Sequence, residues 1–354
     1  MDDFSKNPYL SIVIASRNDE HGGNPLQRTQ VAFNGIFEHL ETHRIESELI
    51  LVDWNPPMDR PLLKDVIKWP KYLKYCTIRY LVVPHSIHQL YKNHRKILLH
   101  TVIAINCGIK RARGQFILPG VIDLLYSEEL ISFIASRKLD ENERYRVDRY
   151  DVNKAVVNLK TLKEQLDYSE KNVLRINAHL HSEIQNGLPE LHTNACGDFQ
   201  LMSRKFWRIL RGYREADIAT AHVDSLLSYA SYAIGVKEVF LPSPMRIYHI
   251  EHTGKFIDRK PNTYLPFEKW LSLPFISPRF SRKMITFISI VLIKLGYKRK
   301  AKFNGVPVLG YDEYLEICRD MVSKKRSYIF NDENWGLGNI VLEDTVISKA
   351  EWDK

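Results

Sequence analysis

One isolated carboxylate stands at the end of a strongly apolar segment. In GQFILPGVIDLLYSEEL, residues 114–130, an apolar strand at 116–118 is followed by Asp123 and then by a helix start at Ser127. A buried strand that delivers an acid at its carboxyl end marks the edge where open α/β sheets bind ligands. Asp123 is therefore the first candidate for chemistry in this chain.

Two other predicted strands end in polar groups that suit a nucleotide. The first, LSIVIAS, is followed by Arg17 and a glycine-containing loop at 21–23, and the second, ELILVD, delivers Asp53. Asp53 could accept the N3 proton of a uracil ring, while Arg17 and the loop amides could face phosphate. A turn or helix cap is the alternative role for Asp53. The glycine loop is not a P-loop, because no Lys-Ser/Thr pair follows it.

The elements around these residues alternate along the first half of the chain. Apolar runs of strand length and amphipathic helical patterns succeed each other, which predicts a mostly parallel, doubly wound sheet with helices on both faces. The predicted strands are 10–16, 48–53, 77–84 and 115–118, and the predicted helices are 26–42 and 100–113. The strand ends should form one ligand-binding edge.

The second half begins with a polar stretch. YRVDRYDV alternates as one strand over 145–152, and 154–191 shows no clear pattern. A short strand at 199–202 then leads into a helix at 204–211 that Gly212 terminates. HVDSLLSYASYAIG predicts a second helix, and VKEVFLP and MRIYHIEH predict two further strands.

The composition indicates a globular protein with a large core. The chain has 354 residues, 44% hydrophobic and 26% charged, which suits one large domain with appendages or two domains. The N-terminus lacks a basic region followed by an apolar one, so we expect no secretory signal and a cytoplasmic protein. The four cysteines lie far apart, which argues against a disulfide framework and a zinc site.

The net charge of +9 could attract nucleic acid, anionic lipid or phosphorylated ligands. No recognised nucleic-acid motif accompanies the charge, so we predict no nucleic-acid partner.

The joint order of these features resembles a GT-A-fold glycosyltransferase related to family 2, of the bacterial surface-polysaccharide type. LSIVIASRND resembles the opening nucleotide-binding strand and ELILVD the uracil-binding strand end. AINCGIKRARGQFIL resembles the segment that precedes the metal edge, and GDFQLMSRKFWRILRGYREA resembles the acceptor-side segment. The resemblance covers about residues 9–252.

The resemblance implies a fold and a domain division. The expected fold is a GT-A domain, Rossmann-like with a mostly parallel sheet and helices on both faces, over residues 1–255. Its nucleotide-binding half would be about 1–125 and its acceptor half about 126–255. A mainly helical extension and tail would follow over 256–354.

The resemblance also implies an activity. The chain would move a sugar from a nucleotide-diphosphate donor, a UDP-sugar, to a saccharide or lipid-linked saccharide, with inversion by direct displacement. The alternative is a non-catalytic nucleotide- or sugar-binding module on a degenerate GT-A fold. Nucleotide-binding residues implied by the resemblance, together with those argued above, are Ala15, Ser16, Arg17, Asp53, Asn106 and Arg113.

A reduced metal site follows from the family pattern D-x-D. Val121 stands at the first acid and only Asp123 remains. Mn²⁺ or Mg²⁺ could still be held by one carboxylate, the donor phosphates and water. In relatives a C-terminal histidine completes the site, and here His249 is preferred over His252. Strand alternation would put the two histidines on opposite faces, so one ligand at most is expected from them.

Inverting transfer needs a base for the acceptor hydroxyl. The resemblance places that base near the start of the helix in AHVDSLL, where Asp224 is the first choice and His222 the second. An N-terminal cap is the structural alternative for Asp224. Asp198 and Trp207 are the candidates for acceptor contacts.

The C-terminal region contains an apolar segment, 284–296, that is too short for a transmembrane helix. Its basic flanks would suit peripheral contact with an anionic inner membrane leaflet, and packing against the catalytic domain is the alternative. Trp335 is expected to pack in the tail by default, with a sugar-stacking platform as the alternative.

Overall fold

The computed structural model describes residues 7–20, 22–178, 187–252, 262–264, 300–303 and 305–347. Its helices are α1 (Pro25–Thr42), α2 (Leu63–Val66), α3 (His85–His88), α4 (Thr101–Arg111), α5 (Glu128–Ala135), α6 (Leu162–Lys171), α7 (Arg204–Leu210), α8 (Val223–Ala233) and α9 (Tyr311–Val322), with a 3-10 helix at Lys154–Asn158.

The strands are β1 (Leu10–Ser16), β2 (Ser47–Trp54), β3 (Cys76–Val83), β4 (Phe116–Gly120), β5 (Leu124–Tyr126), β6 (Glu143–Arg146), β7 (Asp148–Val152), β8 (Val173–Asn177), β9 (Leu201–Ser203), β10 (Lys237–Phe240), β11 (Arg246–Ile250), β12 (Asn262–Tyr264), β13 (Lys300–Phe303), β14 (Val306–Val308) and β15 (Glu343–Val346). The strand and helix alternation predicted for the first half is confirmed.

A central sheet of eight strands has the order β10-β6-β9-β4-β1-β2-β3-β15. The pairings of β1 with β2 and β4, of β2 with β3, and of β6 with β10 are parallel, whereas β9 and β15 pair antiparallel. Because the parallel strands share one direction, β1, β2 and β4 end at the same edge of the sheet. That edge is where the candidate residues were predicted.

Helices cover both faces of this sheet. Alternation along β1 sends Ile12 into one apolar cluster with Ile36 of α1, and Val13 into the other with Ile105 of α4. Both faces of β1 are therefore buried, which explains its uninterrupted apolar sequence. The prediction of a mostly parallel α/β sheet with helices on both faces is confirmed.

A smaller sheet, of order β5-β11-β7-β8, carries part of the polar site. The prediction of one strand over 145–152 is wrong, because the chain leaves the central sheet at Val147 and enters the smaller sheet as β7. Side-chain alternation continues on both sides of the break, so the sequence pattern does not reveal it.

The described residues beyond 255 are mixed rather than mainly helical. They comprise α9, a three-stranded sheet of β12, β13 and β14, and β15, which covers the edge of the central sheet by pairing with β3. Helix α9 packs against α8. The apolar segment at 284–296 lies outside the described residues. No helix within the described ranges is long and apolar enough to span a bilayer.

Asn106 joins α4 to the chain that follows α7. Its Nδ2 donates to Tyr213 O at 2.8 Å and to Glu215 Oε1 at 2.9 Å, and its Oδ1 accepts from Tyr213 N at 2.9 Å. Gly212 has φ +71°, and a Cβ there would collide with the Asn106 amide. Trp335 lies against the same turn with 3% of its surface exposed, so the default expectation of tail packing is confirmed.

The three hydrogen bonds of Asn106, called the Asn106 clamp below, predict a large loss of stability for Asn106→Ala. The substitution leaves buried partners of Asn106 without hydrogen bonds, so the free energy of unfolding should fall by about 3 kcal/mol. Chemical denaturation measures the loss. Asn34→Ala, on the exposed face of α1, is the matched control and should change stability by less than about 0.5 kcal/mol. Equal stability of the two variants would contradict the clamp.

Candidate functional site

Asp123 lies between β4 and β5 and is only 4% exposed. Three cationic or cation-capable groups surround its carboxylate. Arg28 Nε lies 3.4 Å from Oδ2, His252 Nε2 lies 3.5 Å from Oδ2, and His249 Nε2 lies 3.8 Å from Oδ1. The predicted strand-end acid is therefore part of a compact cluster that also contains the predicted His249.

Both histidines approach Asp123, which corrects the expectation that at most one would. Strand β11 ends at Ile250, so the alternation that would turn His252 away no longer applies. The two imidazole centroids are 5.2 Å apart. One donor atom from each of Asp123, His249 and His252 can be chosen so that all lie within 4.8 Å of one another.

Asp151 supports the cluster from the adjacent strand. It is paired with His249 in the parallel register of β7 and β11, and its Oδ1 lies 3.2 Å from His249 Nδ1. Burial disfavours the imidazolium, but contact with Asp151 and the charge of Asp123 outweigh it and raise the pKa of His249. With Nδ1 directed at Asp151, His249 Nε2 is directed at Asp123.

Arg149 connects this cluster to the predicted acceptor side. Its Nε lies 3.0 Å from Asp151 Oδ1, and its Nη1 donates to Asp198 Oδ2 at 2.6 Å. A Cβ built on Gly197 would lie 2.9 Å from Asp224 Oδ2, so Asp224 sits directly against the chain that carries Asp198. The structure therefore joins the predicted Asp123, His249 and Asp198 through Asp151 and Arg149, and the predicted Asp224 packs against Gly197 next to them.

The residues predicted to read the nucleotide base are enclosed. Ala15 is 9% exposed, Ser16 is 2% and Asp53 is 0%. The Asp53 Oδ2 accepts hydrogen bonds from Leu63 N at 3.1 Å and from the Tyr80 hydroxyl. Burial raises the pKa of Asp53. Asp53 thus fixes the chain after β2 and offers no exposed oxygen to a uracil ring.

Arg17 follows β1 and has protein partners on both sides. Its Nε donates to Asn55 O at 2.7 Å and its Nη1 to Asp19 Oδ2 at 2.8 Å. Asp19 lines a cleft of about 410 Å³, together with His100 and the first turn of α4. Asp19, three residues after β1, brings this cleft next to the carboxyl end of that strand.

Three residues taken from the resemblance do not face the cluster. Asn106 directs its amide into the clamp described above, and Trp207 is fully buried with its Nε1 donating to Ile117 O at 3.2 Å. Arg113 precedes β4 and so lies at the opposite end of that strand from Asp123. The predictions of nucleotide contacts for Asn106 and Arg113, and of an acceptor contact for Trp207, are therefore corrected.

His222 has a packing role in this structure. It precedes α8 with φ 59°, and its ring stacks on Tyr314 of α9 with centroids 5.1 Å apart and planes at 21°. The partner comes from a segment about 90 residues later in the chain. Of the two residues predicted as candidates for the base, His222 is therefore held by a packing contact with α9.

A second cleft lies beside the Asp123 cluster. It has a volume of about 480 Å³ and is lined by Gly22, Gly23, Arg28 and His252 on one side and by the 3-10 helix on the other. Gly22 has φ +70°, and a Cβ there would lie 2.8 Å from His252 Nδ1. The predicted glycine loop therefore packs against the cluster, although its His21 lies outside the described residues.

Sequence reasoning missed Arg28, Asp151 and Arg149. Arg28 is 4% exposed on α1, and Asp151 is 1% exposed within β7. A signal was available for Asp151. Acids are depleted in strand interiors, so an acid within an alternating strand pattern indicates a specific structural or functional role. Arg28 carried no comparable signal, since a single arginine in a helix is ordinary.

Comparison with known proteins finds only distant structural similarity. No family model and no curated protein matches this chain. Two solved structures are similar to it at 13% identity: S. aureus TarS 1–349, with a TM-score of 0.42, and the same fragment in complex with UDP-GlcNAc, with a TM-score of 0.41. The matches cover 68% and 74% of this chain and span 60% and 64% of the respective TarS chains. Likeness of this size does not assign an activity.

The Arg149 contacts predict an unequal effect of two arginine substitutions. Arg149→Met leaves Asp151 and Asp198 without a cation they share, and the free energy of unfolding should fall by about 3 kcal/mol. Arg175 also contacts Asp151, at 2.6 Å, but its side chain is 45% exposed. Arg175→Met should therefore cost less than about 1 kcal/mol.

Urea denaturation of both variants tests this difference. Equal losses for Arg149→Met and Arg175→Met would show that the network is not organised around Arg149.

Proposed function

We propose that this protein is a nucleotide-sugar-dependent glycosyltransferase, with a UDP-sugar as donor and a saccharide or lipid-linked saccharide as acceptor. The observation that carries the proposal is the convergence of Asp123, His249 and His252 beside a cleft at the strand-end edge of an α/β sheet. Ligand sites of open α/β sheets lie at that edge. The order of sequence motifs supplies the reaction class.

The chemistry of the cluster fits a divalent cation. Ligands about 2.1 Å from one ion lie roughly 3.0–3.5 Å apart. The carboxylate–imidazole separations of 3.5 and 3.8 Å are close to this spacing. Two imidazoles with one carboxylate suit Mn²⁺ better than Mg²⁺, which prefers oxygen ligands. Bound there, the cation would screen the developing charge of the leaving diphosphate.

Arg28 supplies a second positive charge at the same place. Its side chain contacts Asp123 and donates to the carbonyl oxygens of Gly22 and Gly23. Because Arg28 also lines the 480 Å³ cleft, it is positioned to bind a donor phosphate oxygen when the Asp123 carboxylate has another partner. Arg28 thus adds a protein cation that can offset part of the charge of the donor phosphates.

Asp224 is the proposed base. Its carboxylate accepts the proton of the acceptor hydroxyl as that oxygen bonds to the anomeric carbon, and the bond from that carbon to the diphosphate breaks. The nucleoside diphosphate leaves with the electron pair. Asp198, held by Arg149, would bind a second acceptor hydroxyl. Displacement from the opposite face inverts the anomeric configuration.

The donor nucleoside would occupy the 410 Å³ cleft at the end of β1. Asp19 and the first turn of α4 border this cleft, and Arg17 holds Asp19 in place. Asp53 acts indirectly in this arrangement, by fixing the chain between β2 and α2.

One observation favours a non-catalytic binding module as the second candidate. Asp123 already has positive charge beside it in Arg28, so the cluster is charge-compensated by protein groups alone. A module of this kind would bind nucleotide or sugar without turnover.

The transferase proposal predicts that substitution of either of two acids strongly lowers the rate of nucleotide release. With a panel of nucleotide sugars and Mn²⁺, the protein should release nucleoside diphosphate, and Asp123→Ala and Asp224→Ala should each lower the rate by roughly 10²–10⁴-fold. Asp167→Ala is the matched control, since Asp167 is 56% exposed on α6 and pairs with Lys163. Nucleotide binding without release from any donor or added saccharide would favour the module.

The cluster geometry predicts a role for Asp151 in cation binding. Asp151→Asn removes the carboxylate that orients His249, and Mn²⁺ affinity should weaken by roughly 10–100-fold. Asp148→Asn, on the same strand but in contact with His192, should leave the affinity unchanged. Isothermal titration calorimetry measures both Mn²⁺ affinities. Equal affinities for the two variants would contradict the assignment of the cluster.

A further inference from the structure

A second group of potential metal ligands lies at the junction of α1 and α5. His39 in the last turn of α1, His43 just after it and Glu128 at the start of α5 place one donor atom each within 4.8 Å of one another. His39 Nδ1 lies 3.5 Å from Glu128 Oε2, and His43 Nε2 lies 2.7 Å from Glu128 Oε1. The two histidines are one helical turn apart, so they project from the same side of α1.

Hydrogen bonding defines the tautomer of His39. Its Nε2 lies 3.0 Å from the Tyr126 carbonyl oxygen, which can only accept, so Nε2 carries the proton. The ring is 2% exposed. With Nε2 committed to Tyr126, Nδ1 is the ring nitrogen left to act as a ligand, and it lies 3.5 Å from Glu128 Oε2.

The contact between His39 Nε2 and the Tyr126 carbonyl is also typical of metal-binding histidines. A metal-ligating imidazole commonly donates its second N–H to a carboxylate or backbone carbonyl, which fixes the ring and its tautomer. Tyr126 provides that carbonyl for His39. Two imidazole nitrogens and one carboxylate oxygen form a donor set typical of Zn²⁺ with one open position.

Access and charge at this site favour a cation. The Glu128 side chain is 55% exposed and that of His43 is 17%, so the site opens to solvent. Glu128 also lines a cleft of about 380 Å³ in which Glu38, Glu129, Asp167 and Glu170 are opposed by Lys163. An excess of carboxylates in a cleft raises the local concentration of cations.

We propose that His39, His43 and Glu128 form a zinc-binding site that is distinct from the Asp123 cluster and ties α1 to α5. Tyr126 lies three residues beyond Asp123 along the chain, which is about 10 Å of extended strand. On α1, His39 lies 11 residues beyond Arg28, which is about 16 Å of helix. Zinc at this junction would brace both segments that carry the Asp123 cluster. The proposal does not depend on the transferase reaction.

Metal-stripped protein titrated with Zn²⁺ tests the proposal, with calorimetry and thermal unfolding as readouts. Zn²⁺ should raise the Tm of the wild-type protein and still raise that of Asp123→Asn, because the second cluster is intact in both and the substitution weakens only the Asp123 cluster. Introduced into Asp123→Asn, His43→Gln and Glu128→Gln should each weaken the remaining Zn²⁺ binding at least about tenfold and remove most of the remaining Tm increase. His43 is used rather than His39, because the buried His39 also supports the fold.

Glu129→Gln is the matched control, since Glu129 lies in the same turn of α5 but outside the cluster. Introduced into Asp123→Asn, it should retain the affinity and Tm increase of that variant. Absence of Zn²⁺ binding in the wild-type protein, or equal binding by Glu128→Gln and Glu129→Gln in the Asp123→Asn background, would overturn the site. Binding abolished by Asp123→Asn but retained by His43→Gln would assign zinc to the other cluster and also overturn it.

Discussion

Burial of the Asp123 carboxylate is the constraint on which the polar half of this structure depends. A carboxylate that is only 4% exposed needs positive charge or a metal ion beside it, because the ionised group loses its hydration. The chain meets this requirement with groups from two places: Arg28 on α1, and His249 and His252 at the end of β11. The positions of α1 and of the smaller sheet are therefore tied to a single acid.

The smaller sheet positions the side chains that surround Asp123. Cross-strand pairing of β7 and β11 sets Asp151 against His249, and Arg149 then spans Asp151 and Asp198. Each acid in the series has a cationic partner, and Asp224 sits against the chain at its far end. Charge compensation and positioning are thus achieved by the same contacts.

Much of the fold was predictable because strands buried on both faces have uninterrupted apolar sequences. Asp123 was predictable for the same reason, as a polar residue that follows such a strand. The role of His252 was not, because it depends on where β11 ends, and strand ends are weakly encoded. The break between β6 and β7 was hidden, because side-chain alternation is the same before and after it.

Similarity of motifs was a weaker guide to individual roles. Asn106 and Trp207 occupy motif positions, yet one is committed to a backbone clamp and the other to the core. His222 is stacked on a tyrosine from α9, a contact between distant parts of the chain that no local pattern contains. Arg28 and Arg149 act through tertiary contacts of the same kind, and for that reason they emerged only from the structure.

The most direct measurement is anomalous diffraction at the manganese edge from crystals grown with Mn²⁺ and UDP. The proposed site requires a manganese peak roughly 2.0–2.3 Å from an oxygen of Asp123 and from nitrogens of His249 and His252. It also requires a diphosphate oxygen next to that peak. Bound UDP with no manganese between Asp123 and the two histidines, and with Arg28 still paired to Asp123, would contradict the metal-assisted glycosyltransferase site.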